Sequence, residues 1–507
     1  MVTRIVRSID PQSARQAARR ATSQAVRGAR RVAGGVLGLA GERMSKVDTA
    51  WLRMDGDHNL MMIVGVWTLR PRVDYEALCQ RVQERLLQYG RFRQKVVEDP
   101  AGATWVEDRA FDLRRHVVRE KLPRAKGGDQ AALQALVGRL ATVPLDRKRP
   151  LWQLHLVENY DGGSALVARI HHCIADGIAL IAVMMSLVDG GSAPPARRAR
   201  SGAEDWIADT LVRPLTELTL KALDAAGDGA ARSLQLLRDP QAGLAGSLDV
   251  ARLAFQVLND AAALALMPDD SPTRLKGKPH GRKRAAWCDP LPLDEVKAVG
   301  KALNCSINDV LLSCVAGAIG QYLRAQGDEV EGREIRAMIP VNLRPLEQAH
   351  KLGNRFGLVP LVLPIGIDNP VERVYEVRRR MRALKGSTQP LLAFGLLTVA
   401  GLLVKPAQDA MLNLFGRKTT AVMTNVPGPR EKLKFLGATL EQTMFWVPQS
   451  GDIGLGVSIL SYGGGVQFGV ISDTALCPQP QEIMEQFAPE FARLSLVTLM
   501  LPWGEAA

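Results

Sequence analysis

The chain of 507 residues is 47% hydrophobic and 23% charged, which supplies ample core material and excludes a disordered or fibrous protein. A formal net charge of +13 favours anionic partners: nucleic acid, anionic lipid or a phosphate-bearing cosubstrate. Aromatic residues reach only 5%, and without zinc-ligand spacing or a base-stacking motif the nucleic-acid class drops out.

Residues 1–43 carry nine arginines (Arg4, Arg7, Arg15, Arg19, Arg20, Arg27, Arg30, Arg31 and Arg43) against only Asp10 and Glu42. Ala14, Ala18, Ala21, Ala25, Ala29, Val32, Val36 and Leu39 fall at helical spacing. Three readings stay open: a basic amphipathic helix for an anionic lipid surface, an organelle transit segment, or a solvated arm. Folded sequence is expected to begin near Met44-Ser45-Lys46-Val47-Asp48.

Leu60–Leu69 predicts a strand and Tyr75–Leu87 a helix. Trp152–Glu158 and Ala165–Ile170 predict a strand pair, joined through Asn159-Tyr160-Asp161-Gly162-Gly163 as a hairpin. The apolar run Ile178–Met185 predicts a helix. A break follows at residues 190–198, then an alanine-rich helical stretch over about 203–267 and a basic run with Arg274, Lys276, Lys278, Arg282, Lys283 and Arg284. Strand candidates resume at Ile335–Val341, Leu358–Ile365, Ala421–Thr424, Gly454–Leu460 and Val466–Ile471. The expected fold class is therefore mixed α/β (α+β). The expected units are a basic arm (1–43), an N-terminal lobe (44–200), a helical, basic connector (201–283) and a C-terminal lobe (284–507). The apolar stretch Leu391–Val404 is short of the roughly 18 residues that a membrane span requires. The six cysteines form no CxxC pair, which suits a reduced cytosolic setting.

Between the hairpin's second strand and the next helix lies His171-His172-Cys173-Ile174-Ala175-Asp176-Gly177. It offers a base, a residue to hold it and a tight turn. Strand alternation puts Leu166, Ala168, Ile170 and His172 on one face and His171 on the other. A neutral histidine accepts a proton well near neutral pH, so one of the pair is a candidate general base. Cys173 beside His172 suggests a Cys-His nucleophile, but adjacent side chains on an extended segment point apart. Gly177 suits a place where a side chain would block the turn or a substrate path.

The HHxxxDG string resembles the signature of the CoA-dependent acyltransferase superfamily, which includes chloramphenicol acetyltransferase and peptide-synthetase condensation domains. Pro150-Leu151-Trp152 lies shortly before it, and Asn308-Asp309 within Ser306–Leu312, Gly353-Asn354-Arg355-Phe356-Gly357 and Asn425-Val426-Pro427-Gly428-Pro429 come after it in the expected order. Together they are similar to the bacterial wax ester synthase/diacylglycerol acyltransferase family, from about Met44 to about Met500.

The resemblance implies two chloramphenicol-acetyltransferase-like lobes with mixed sheets. It implies transfer of a fatty acyl group from acyl-CoA, a co-substrate rather than a bound cofactor, to a long-chain alcohol or diacylglycerol. No metal is implied. It makes His172 the general base and His171 a supporting residue. Asp176 is either an orienter of His172, as in a triad, or, as the superfamily suggests, one half of a structural ion pair, with Arg93 as candidate partner. Asn308 is either an oxyanion donor or a helix cap. Pro150, Leu151, Trp152, Asp309, Asn425 and Pro427 are expected at or beside the substrate channel, Pro427 shaping its wall and Asp309 with a structural bias. The basic run at 274–284 and the N-terminal arm are candidate contacts for CoA phosphates. The resemblance further implies a cytoplasmic enzyme held peripherally at the inner membrane or lipid droplets. Alternatives are an acyltransferase acting on a polyketide or sugar-lipid hydroxyl, and a non-catalytic lipid-surface protein with the same fold.

Overall fold

The computed structural model describes residues 41–99, 102–122, 125–191, 267–342, 352–354, 356–384 and 416–500. The arm's first 40 residues, the helical stretch expected over 203–266, and Leu391–Val404 lie outside the described residues.

Three sheets organise the described residues. A small antiparallel sheet holds β1 (Gly41–Arg43), β3 (Gln94–Asp99) and β4 (Gly102–Glu107). The N-terminal lobe is built on a six-stranded sheet in the order β13-β14-β2-β7-β6-β5. Its strands are β2 (Met62–Arg70), β5 (Val117–Glu120), β6 (Trp152–Tyr160), β7 (Gly163–His171), β13 (Lys434–Phe435) and β14 (Ala438–Trp446). The C-terminal lobe has the order β11-β10-β12-β15-β16-β8, with β9 also paired to β16. These are β8 (Lys283–Trp287), β9 (Leu291–Pro292), β10 (Ile335–Asn342), β11 (Phe356–Leu363), β12 (Ala421–Pro427), β15 (Leu455–Tyr462) and β16 (Gly465–Asp473). The helices are α1 (Lys46–Arg53), α2 (Tyr75–Arg85), α3 (Gly128–Thr142), α4 (Gly177–Leu187), α5 (Leu293–Ala302), α6 (Ile307–Ala325), α7 (Pro370–Leu384) and α8 (Pro480–Leu499).

The β6–β7 hairpin closes on a two-residue loop, Asp161-Gly162, with both residues at positive φ (44° and 71°). That backbone twist matches the twist of the strands it joins, which is why Asp-Gly is favoured there. Alternation along β2 and β7 then sorts two cores. Ile63, Trp67, Leu166, Ala168 and Ile170 belong to the large N-terminal core. Val64, Val66, Ala165 and Val167 face the other way, onto Leu133, Leu136 and Val137 of α3. Trp287, Trp446 and Ile471 complete that second core, so apolar packing joins the lobes.

Two expectations about organisation need correction. Residues 284–507 do not form a lobe of their own: β14 leaves the C-terminal half and pairs with β2, from Thr439↔Arg70 to Trp446↔Val64. Its apolar alternation satisfies whichever sheet it joins, and sequence distance carries no information about that choice. The described end of the connector, residues 267–282, holds no helix, and β8 begins at Lys283. Four of the six cations of the basic run meet protein acceptors. Arg274 meets Asp328, Lys276 donates to the Gly416 and Thr419 carbonyls, Lys283 donates to Asn59, and Arg284 donates to the Pro478 carbonyl. Those four cations brace the fold, while Lys278 and Arg282 are exposed. All six cysteines are free thiols.

Candidate active site

The HHxxxDG segment leaves the end of β7 and enters α4. Backbone hydrogen bonds pin it on three sides. The His171 N–H donates to the Leu151 carbonyl (2.9 Å), the His172 N–H to the Met61 carbonyl (2.7 Å), and the Asp176 N–H to the Gly353 carbonyl (3.2 Å). Gly353 sits at φ +116°, a backbone that L side chains rarely adopt, so the GNRFG motif needs glycine there.

His172 is buried in a stack of rings. The Trp51 indole lies parallel to its imidazole at 4.1 Å between centroids, and Phe356 approaches at 5.4 Å. Among the described residues its Nδ1 is buried without a hydrogen-bond partner. Burial pushes its pKa down from 6.5 to about 4, against the opposing pull of the Asp176 charge. His172 is therefore neutral at pH 7, the state that a proton acceptor needs.

Below it runs a buried polar chain. Asn354 Nδ2 donates both to the His172 carbonyl and to Asp48 Oδ1, each at 2.8 Å. Asp48 meets Arg91 at 3.2 Å, and Arg91 donates to the Ile174 carbonyl at 2.7 Å. Asp48 is wholly buried on α1, whose N-cap is Ser45. Asn354 belongs to the GNRFG motif, but its partners Asp48 and Arg91, and the Trp51 stack, were not singled out from sequence. Asp48 on an otherwise apolar face of a capped helix was the available signal.

His171 has a different environment. Its Nδ1 accepts the Cys173 N–H at 3.1 Å, so its proton is on Nε2, 3.4 Å from Asp55 Oδ2. Asp55 also accepts the Met61 N–H at 2.6 Å and meets Arg147 at 3.3 Å. Burial would raise the Asp55 pKa, but His171, the Met61 N–H and Arg147 outweigh it and hold the carboxyl below its usual range. The fully buried Cys173 thiol is pushed well up by desolvation, which leaves no thiolate nucleophile beside His172.

Several expected roles change. Asp176 is the N-cap of α4, its Oδ1 accepting the Ala179 N–H at 2.9 Å. Its expected partner Arg93 is elsewhere: that guanidinium donates to Glu107 at 3.0 Å and to the Leu87 carbonyl at 2.6 Å. Arg93 ends a short turn ahead of β3, and its nearest acceptors lie on that side of the sheet. Ser306, not Asn308, caps α6, in a reciprocal box with Asp309 that gives Asp309 a structural duty. Asn308 lies inside the first turn, and its Oδ1 accepts Asn425 Nδ2 at 3.0 Å, which brings two of the sequence motifs together. Leu151 braces the histidine loop through its carbonyl, and the neighbouring Trp152 pairs with Ile170 of β7 and donates Nε1 to the Phe92 carbonyl at 2.8 Å.

Beside the loop is an apolar cavity with about 900 Å³ of empty space, its open mouth included. Leu166, Ala168 and Ile170 form its floor, Met184 of α4 one side, and Pro427 and Leu460 of the C-terminal lobe the other. Gly177 lines it, and a Cβ there would meet nothing within 4 Å. Gly177 thus leaves room in the cavity rather than relieving a strained turn. Among the described residues no cluster of three His, Cys, Asp or Glu side chains could hold a metal ion.

Two sheet lobes meeting over an apolar cavity, with a buried neutral histidine on the loop that borders it between Ile170 and Gly177, define an acyltransferase of the HHxxxDG type. The chain matches the wax ester synthase/diacylglycerol acyltransferase catalytic domain over residues 44–311 and the WS/DGAT C-terminal domain over residues 352–495, and it belongs to that family. A probable diacylglycerol O-acyltransferase, tgs1, of Mycobacterium tuberculosis is 28% identical over 469 residues, covering 90% of this chain and 96% of its own. The wax ester synthase/diacylglycerol acyltransferase of Marinobacter aquaeolei superposes with a TM-score of 0.62 at 20% identity, over 90% of this chain and 99% of that one. The starter condensation domain of rhizomide synthetase, solved with C8-CoA, shares the fold at a TM-score of 0.53 and 13% identity, over 92% and 96%.

Proposed function

We propose that this acyltransferase moves a fatty acyl group from acyl-CoA to the hydroxyl of diacylglycerol or a long-chain alcohol, with His172 as general base. The observation that carries the reading is a neutral, desolvated imidazole on the segment between Ile170 and Gly177, both of which line an apolar cavity. The imidazole takes the proton of the acceptor hydroxyl as its oxygen bonds to the thioester carbonyl carbon. The tetrahedral intermediate collapses, the C–S bond breaks, and the sulfur leaves as the CoA thiol with the proton from His172. No acyl-enzyme forms. The dry ring stack disfavours competing hydrolysis.

Asn308 supports a place near the developing oxyanion. With its Oδ1 engaged by Asn425, its amide hydrogens are the donors that remain. His171, Asp55, Asn354 and Asp48 act through the backbone that carries His172. Both acceptors are lipids, so we read the protein as working at a lipid surface. No single described helix is long and apolar enough to cross a membrane.

Purified protein with palmitoyl-CoA and either hexadecanol or diolein is the test. Free thiol and neutral ester should appear together, and His172→Ala should abolish both. No turnover with either acceptor would overturn the reading.

A further inference from the structure

A second cavity, of about 730 Å³ including its mouth, lies in the C-terminal lobe between the end of α5, the start of α6 and α7. Lys301, Arg378 and Arg382 line it, together with Cys305, Ser306 and Asp309. Among the described residues, none of the three cations is paired with a carboxylate. The rest of α7 behaves differently. Arg373 pairs with Glu490, Arg379 with Glu376, and Arg380 with both Glu376 and Glu334. The two α7 arginines left over are those facing the cavity. They stand four residues apart on one helix face, where like charges repel and a bound anion relieves them. The wall's one carboxylate, Asp309, is already engaged, its Oδ2 accepting the Ser306 N–H at 2.8 Å.

The position ties this cavity to the reaction site. Ser306 and Asp309 line it; Asn308 between them bonds Asn425; and Val426 and Pro427, the next residues of β12, line the apolar cavity. The start of α6 and the end of β12, joined by the Asn308–Asn425 bond, therefore connect the wall of a cationic chamber to the wall of an apolar one. We infer that the cationic chamber receives phosphate groups of the acyl-CoA donor through Lys301, Arg378 and Arg382, while the acyl chain occupies the apolar side. The identity of the donor rests on the proposed function. The anion chemistry rests on the three unpaired cations alone.

Steady-state kinetics with palmitoyl-CoA and with palmitoyl-pantetheine, which lacks the phosphates, test it. Arg378→Gln with Arg382→Gln should raise KM for palmitoyl-CoA about tenfold. KM for palmitoyl-pantetheine and kcat with either donor should hold. Lys301→Gln with Arg382→Gln, both at exposed positions, serves if the first pair fails to fold. Arg379→Gln, outside the cavity, should leave both KM values unchanged. Equal KM changes for the two donors, or none, overturn the inference. Adenosine 3′,5′-bisphosphate binding, measured by calorimetry, separates this inference from the proposed function. If the wild type turns over no donor but binds the nucleotide, and the double variant does not, the anion site stands without the reaction. Equal binding by both, or none by the wild type, removes the site. Weakened binding to phosphatidic acid vesicles with palmitoyl-CoA KM unchanged would assign the cations to a lipid headgroup and overturn the inference.

Discussion

The two sides of the histidine loop are adjacent in sequence and opposite in physics. On the His171 side every polar atom faces charge or backbone: Cys173 N–H, Asp55 and, behind it, Arg147. On the His172 side the neighbours are flat and apolar, Trp51 and Phe356, and among the described residues Nδ1 has no partner. A histidine with an ionic partner is held in place. A histidine among rings is kept neutral and ready to take a proton. The difference assigns chemistry to one residue and support to the other.

Exchanging the two for alanine breaks the comparison most sharply. His172→Ala should lower kcat by about a thousandfold with the melting temperature little changed. His171→Ala should cut turnover far less. Asp48→Ala removes the carboxylate between Asn354 and Arg91 and leaves Arg91 without its buried partner. It should cost about 4 kcal/mol in urea unfolding, with KM and kcat both disturbed.

Acid should act on the His172 side. Its folded pKa, about 4, lies below the unfolded value of 6.5, so the unfolded chain takes up the proton first. Its contribution is complete above pH 6.5 and is lost as pH falls towards 4, at most about 3 kcal/mol. His155, also depressed to about 4 by burial, adds a parallel loss. Unfolding midpoints from pH 8 to pH 4 should show the decline, and His172→Asn should blunt it. The acid limb of kcat/KM should fall below pH 6.5. A limb at or above that value would mean that the base is solvated, contrary to the ring stack.

Smaller effects sharpen the same contrast. His171→Asn should cost about 1–2 kcal/mol in stability and leave the position of the acid limb unchanged. Arg93→Ala should stay within about 0.5 kcal/mol in stability and near wild-type turnover, because its partner Glu107 is exposed and distant from the loop. A large loss of turnover in Arg93→Ala would restore Arg93 as a candidate partner of Asp176.

Local pattern carried much of this protein. The Asp161-Gly162 turn, the alternation that puts Leu166, Ala168 and Ile170 on one face, and the apolar run of α4 are properties of short segments, and all were legible. The motif order further revealed the family. What escaped was of long range. β14 could join either sheet, the Asp48–Asn354 bond spans 306 residues, and the Trp51 stack on His172 joins segments more than 100 residues apart.

The sequence by itself determined the reaction class, the histidine-bearing turn and the two faces of its strand, because each is written within a few neighbouring residues. Only the tertiary structure decided that Asp176 caps a helix, that Arg93 belongs to Glu107, that Asn308 meets Asn425, and that three basic side chains face one chamber. Such pairings depend on which distant side chain reaches a group first, and that follows from packing the two lobes together.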